Sequence, residues 1–160
     1  MTQFHLRTEQ VLQGGFTVQS FNLILIFQVN CPGCFIYALP LAAKLHETYC
    51  DRINILGLST AFEDFELNTA ANTQKLLQSG EMVGVTQQYF QEKQIERYAI
   101  PLEFAIAFDR EIFHLNFLPG TPSWVLFDQD RNVLSSWFGH RPEEEVESLL
   151  SPYFENAVSI

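Results

Sequence analysis

The sequence predicts an α/β domain, and three observations carry the prediction. Residues 21–29 form an apolar run of strand length. Apolar residues at helical spacing follow it at once, and a second apolar run over residues 53–58 lies one crossover helix further on. Strand, helix and strand in that order make a β-α-β unit, which requires two parallel strands.

The remaining elements can be read in chain order. Residues 1–20 are polar and include Gly14 and Gly15, as expected of an irregular or short-stranded N-terminal extension. The run at 21–29 suits a strand covered on both faces. Ala38, Leu41, Leu45 and Tyr49 then recur at steps of three and four, the spacing of one helical face. From 61 to 98 the composition turns polar, with Gly80 and Gly84 as breaks, and predicts a mostly helical insertion with helices at 69–78 and 86–97. Residues 102–109 read as extended. Pro119-Gly120-Thr121-Pro122 is a turn cluster, 124–127 a buried strand, 128–132 a hairpin turn and 133–138 its partner strand. Pro142 opens a last helix, with Glu143, Glu144 and Glu145 in the first turn, where acidic groups suit the helix dipole. There are no repeats or linkers, and residues 1–160 read as a single domain.

Composition narrows the function. At 160 residues with 47% hydrophobic content and fifteen Phe, the chain can bury a substantial core. A net charge of -10 argues against nucleic acid and anionic membrane as partners, since both select for Lys and Arg. The longest apolar run is too short to span a bilayer. The first ten residues lack a basic region followed by an apolar stretch, so a cytoplasmic location is expected, where thiols stay reduced unless they are catalytic.

The chemistry lies in Cys31-Pro32-Gly33-Cys34, at the junction of the first apolar strand and its helix. Pro32 suits the first helical position, which puts Cys31 at the helix N-terminus, where free N–H groups and the dipole lower a thiol pKa. Cys34 lies about one turn inward, more shielded and close enough to form a disulfide. Cys31 is therefore the expected attacking sulfur and Cys34 the resolving one, with Gly33 letting the loop adapt. Two buried structural thiols are the bland alternative. A zinc site using Cys31, Cys34, His46 and Cys50 is the sharper one. Helical rise opposes it, because His46 would stand roughly 18 Å along the helix from Cys34. By the same reasoning Cys50 reads as a helix-end core residue. Neither a metal nor a cofactor is expected.

The strand, CPGC and helix, Pro40 within that helix, FAIAFD at 104–109 and GTPSWVLFDQDRNVLSSWFGH at 120–140 together resemble the thioredoxin-like superfamily. The likeness is to its redoxin branch of TlpA-type thiol–disulfide oxidoreductases and AhpC/TSA-like proteins, and it covers roughly residues 21–150. It implies a thioredoxin-like fold with a central mixed sheet flanked by helices, the insertion following the second core strand. It also implies that Pro122 is cis and lies against the dithiol, and that Thr121 offers its backbone to an extended substrate. Thr121, Pro122, Pro32 and Gly33 are then substrate-binding positions. The implied activity is thiol–disulfide exchange with protein or small-molecule disulfides and thiols, coupled to an electron donor or acceptor.

The sequence departs from the pattern at three places. Leu25 stands where thioredoxins bury an acid, Tyr37 where many TlpA-type proteins carry Glu, and Gln28 where peroxiredoxins place Thr. The last departure makes a thiol peroxidase the second reading, and a non-catalytic binding module the third. A replacement proton acceptor is sought in the loop after the second strand, where Glu63 is the candidate beside Asp64.

Overall fold

The computed structural model describes residues 2–158, with side chains through Phe154; Met1 and residues 159–160, the ends of the expected 1–160 domain, lie outside it. In chain order the elements are β1 (Gln10–Gln13), β2 (Phe21–Phe27), α1 (Leu39–Tyr49), β3 (Asn54–Ser59), α2 (Ala70–Ser79), α3 (Gly84–Glu92), β4 (Ala105–Phe108), α4 (Ile112–Asn116), β5 (Ser123–Asp128), β6 (Val133–Phe138) and α5 (Glu143–Val158). Six strands form one sheet in the order β1-β4-β3-β2-β5-β6. β2, β3 and β4 are parallel, while β1, β5 and β6 pair antiparallel to their neighbours. This is the mixed sheet expected.

β2 lies at the centre, and its alternating side chains serve both faces. Leu23, Leu25 and Phe27 pack with Leu39, Ala42 and Leu45 of α1 and with Val146 and Leu150 of α5. Ile24 and Ile26 point the other way, into a second cluster with Leu56, Leu58, Ile112 and Phe4. Burial on both sides is why β2 reads as a continuous apolar run.

The N-terminal extension covers much of that second face. β1 pairs antiparallel with β4 and forms the edge of the sheet, Gln10 opposite Phe108. Farther upstream Phe4 is buried, and Gln3 bridges to Asn132. A few apolar residues, Phe4, Leu6, Phe16 and Val18, are enough to seat an otherwise polar strap.

Three local features differ from the sequence reading. The helix after the cysteines does not run regularly from 34: Cys34–Ala38 form a π-turn, closed by the Leu39 N–H on the Cys34 carbonyl, before α1 begins. Pro40 accounts for it, since it has no N–H for the Ile36 carbonyl and its ring crowds that oxygen; a widened turn relieves both problems. α3 stops at Glu92 rather than 97. Its end is a Schellman motif, with Ile95 N–H on the Phe90 carbonyl and Gln94 N–H on that of Gln91. The left-handed position is filled by Gln94 (φ 62) where Gly is usual, so the sequence carried no stop signal. The short α4 was not expected at all. It ends at Phe117, also left-handed with φ 53. Among the described residues no helix is long and apolar enough to cross a membrane.

Candidate active site

The carboxyl ends of three parallel strands share one edge of the sheet with the start of the antiparallel β5. Sites in open α/β sheets form at such an edge. β2 delivers Cys31 there, β3 the loop at 60–69 and β4 the segment leading to α4. The pairing of Ile26 with Ser123 brings Pro122 alongside the end of β2.

Cys31 and Cys34 are joined as a disulfide with Cα atoms 5.4 Å apart. Cys31 is half-buried, whereas Cys34 is fully buried within the core under α1. The Cys34 N–H donates to the Cys31 carbonyl at 3.0 Å and stands 3.3 Å from Cys31 Sγ. A charged donor–acceptor pairing there would stabilise a Cys31 thiolate. Pro32 and Gly33 are half-buried between the cysteines. Gly33 has an ordinary helical φ of -60° and open space where a Cβ would stand. What it contributes is a low profile, not left-handed freedom.

The Thr121–Pro122 bond is cis. The Thr121 carbonyl oxygen lies 3.8 Å from Cys31 Sγ, so the proline loop abuts the dithiol. The loop is held from both sides. Pro122 accepts from Gly139 N–H at 2.8 Å, and Thr121 Oγ1 accepts from Gln28 Nε2 at 2.9 Å. Gln28 is itself buried, and its Oε1 accepts from the N–H of Phe62, the N–H of Glu63 and Asn68 Nδ2. One side chain therefore ties the proline loop to the loop after β3. It was noted in the sequence only as a departure, and an amide among apolar residues at the end of a strand was the available signal.

Residues 29–31 lie past the last strand pairing of β2 and are held by side chains. Asn30 N–H donates to Asn68 Oδ1 and Asn30 Nδ2 to Asp64 Oδ2, at 2.8 and 2.9 Å. From the insertion, Val85 N–H donates to Asn30 Oδ1, and Thr86 Oγ1 accepts from Cys31 N–H, both at 2.8 Å. Glu63 is placed differently from expectation. Its main chain joins the network through Gln28 and Asn68, while its side chain is exposed.

Leu25 is buried in the same cluster as Cys34, so an apolar side chain fills the place of the acid. Tyr37 is exposed and its ring packs at a tilt against that of His140, centroids 4.6 Å apart. Tyr98, at the far end of the insertion, donates from its hydroxyl to the Phe35 carbonyl at 2.6 Å. Burial pushes its pKa up. Cys50 corrects the sequence reading: it is exposed at the end of α1, not in the core. Cys50 is the C-cap of α1, past the last buried helical residue, Leu45, where the chain turns through the exposed Asp51 and Arg52 toward β3. Among the described residues no three His, Cys, Asp or Glu side chains come together as a metal site.

Aromatic residues crowd the same edge. Phe62, Phe65, Phe113, Phe117 and Leu118 line a hollow of about 530 Å³. Phe65 is 68% and Phe117 93% exposed. Leu118 leads directly into the turn that carries Thr121 and Pro122.

No family model and no curated protein matches the chain. Solved structures do. The chain is similar to a thiol-disulfide isomerase from Corynebacterium glutamicum, with TM-score 0.73 at 20% identity over 96% of each chain. A thioredoxin-like superfamily protein gives the same TM-score, 0.73, and identity, 20%, over 96% of this chain and 97% of that one. A putative thiol:disulfide interchange protein DsbE from Chlorobium tepidum follows at TM-score 0.57 and 16% identity, covering 92% of this chain and 94% of its own. The fold is thioredoxin-like.

Proposed function

We propose that this chain is a thiol–disulfide oxidoreductase in which Cys31 attacks and Cys34 resolves. The observation that carries the reading is the cysteine pair at the strand edge, its outer sulfur accessible beside Thr121 and Pro122 and its inner sulfur buried. In the reducing direction the Cys31 thiolate attacks a substrate disulfide, forming a mixed disulfide and releasing one substrate thiolate. The Cys34 thiolate then attacks Cys31 Sγ, closing the protein disulfide and releasing the second. Two electrons pass to the substrate, which leaves as a dithiol once both sulfurs take protons from water. The oxidising direction is the reverse.

Residue roles follow from position. Cys34 N–H supports negative charge on Cys31 Sγ. Thr121 presents a backbone carbonyl to an extended substrate segment, with Pro122 fixing the turn and Pro32 and Gly33 keeping the approach low. The exposed aromatic residues on the same edge favour polypeptide substrates over small disulfides, because they offer apolar area that only a chain can cover. Glu63 has no assigned proton step in this scheme, since its side chain faces solvent. We place the protein in a reducing compartment, the cytoplasm expected from the sequence; an exposed unpaired thiol at Cys50 supports this.

The test pairs insulin reduction, driven by an added dithiol, with hydrogen peroxide consumption. Catalysed insulin reduction with no peroxide turnover above free thiol is expected. Peroxide turnover without insulin reduction would replace this reading with the peroxidase, and inactivity in both would favour a binding module.

A further inference from the structure

The insertion reaches the dithiol through one hydroxyl. Thr86 is the third residue of α3 and is fully buried. Its Oγ1 accepts from the Cys31 N–H at 2.8 Å and donates to the Val29 carbonyl at 2.8 Å. It thereby closes a ring across residues 29–31, beyond the end of β2, where no neighbouring strand pairs with the backbone. The approach is close because Gly84 permits it: a Cβ there would stand 2.3 Å from Asn30 Oδ1, and the residue's φ of +58 also favours glycine. The adjacent Val85 N–H is spent on Asn30 Oδ1. The start of α3 is thus committed to the segment that carries Cys31.

We propose that Thr86 is a positioning residue for the redox step, rigidifying the Cys31 backbone and so setting the stability of the disulfide relative to the dithiol. The inference rests on the oxidoreductase reading. The reaction it governs is protein dithiol plus oxidised glutathione giving protein disulfide plus two reduced glutathione, two electrons moving from protein to glutathione. The position of that equilibrium follows the effective concentration of one cysteine at the other. A hydroxyl that holds Cys31 over Cys34 in both states raises it. Without the hydroxyl, the reduced loop has more conformations to lose when the disulfide closes.

The experiment titrates wild type, Thr86→Val and Thr86→Ser in glutathione buffers and reads the fraction of Cys31–Cys34 disulfide. Thr86→Val keeps the shape and removes both hydrogen bonds. It should move the equilibrium toward the dithiol by about fivefold, the factor corresponding to the low end of the entropy cost of fixing one residue's backbone when the disulfide closes. Thr86→Ser keeps the hydroxyl and should hold the wild-type equilibrium within about twofold, even though losing a buried methyl lowers its urea midpoint. A purely structural role would make the equilibrium follow stability in both variants, and that result, or an unmoved Thr86→Val, overturns the inference. Amide exchange of Cys31 in the wild type gives a test that needs no variant. Protection in both oxidation states is expected, and loss of protection on reduction refutes the proposal. If the wild type itself forms no reversible disulfide in glutathione, the oxidoreductase reading has failed instead.

Discussion

Gln28 and Thr121 are joined side chain to side chain, Nε2 to Oγ1, at 2.9 Å. Through that bond the turn carrying the cis proline is registered against the strand carrying the cysteines, and through Gln28 Oε1 against the loop after β3 as well. Gln28→Leu preserves most of the volume but strands three donors and the Thr121 hydroxyl. We expect a loss of about 2–3 kcal/mol, the cost of leaving buried polar groups unmatched. Urea denaturation measures it, and an unchanged midpoint would show the network to be dispensable.

Mutation of the resolving cysteine should separate the two thiols by role. With Cys34→Ser the first attack survives but the intramolecular release does not, so mixed disulfides with substrate proteins accumulate on Cys31 and are reversed by added thiol. Cys31→Ser should trap almost nothing, because Cys34 is buried. Non-reducing electrophoresis of thiol-free cell extract, followed by identification of the attached proteins, reads the result. Equal trapping by both variants would reverse or abolish the assignment.

Thiol counting tests the burial pattern directly. The native oxidised protein should show one reactive thiol, Cys50, since the other two cysteines are paired. After gentle reduction Cys31 and Cys50 should alkylate quickly and Cys34 slowly. Peptide mapping by mass spectrometry distinguishes them, and Cys34 labelling ahead of Cys31 contradicts the structure.

Tyr98 links stability to alkaline pH. Burial raises its folded-state pKa above the unfolded value of about 10, and its hydroxyl donates to the Phe35 carbonyl. An acid whose folded pKa is raised keeps its proton in the folded state after the unfolded chain has begun to lose it. Its stabilising contribution is therefore complete below pH 10 and declines as pH rises above it. Tyr98→Phe should lower stability by about 1 kcal/mol at pH 8 and show a shallower further fall by pH 10.5 than the wild type. Equal falls in both proteins would exclude Tyr98 as the source.

Much of this architecture was legible because the signals were local. The apolar run of β2, the cysteine pair, the Pro119–Pro122 turn and the hairpin after it each declare themselves within a few residues. What was missed depends on pairs far apart in sequence. Gln28 gains its meaning from Thr121, and Thr86 from Cys31; neither spacing carries a motif. Glu63 looked eligible because it leaves the correct sheet edge, yet only the loop's actual path decides whether main chain or carboxylate faces inward. Cys50 reads as a core residue because cysteines are usually buried and its position continues the Leu39 side of the helix, yet α1 ends one residue earlier and the chain turns into solvent there. α3 was drawn too long because Gln94 occupies a left-handed stop without the glycine that would announce it.

The strap at the start of the chain has a consequence for biosynthesis. Phe4 N–H binds the Arg131 carbonyl and Val133 N–H that of Thr2, so residues 2–4 of the strap dock on the β5–β6 hairpin. The strap is translated long before that hairpin exists. A nascent chain halted ahead of β5 leaves Ile24, Ile26, Leu56 and Leu58 without Phe4, Val125 and Phe127 to cover them. Such a chain is sticky while still attached to the ribosome, and it is a natural client for a chaperone that binds apolar strands. Ribosome-bound chains ending at residue 118 should bind an apolar-surface dye that chains extended past residue 140 and a tunnel-length linker do not. Translation of the β5–β6 hairpin thus determines when Thr2 and Phe4 find their place.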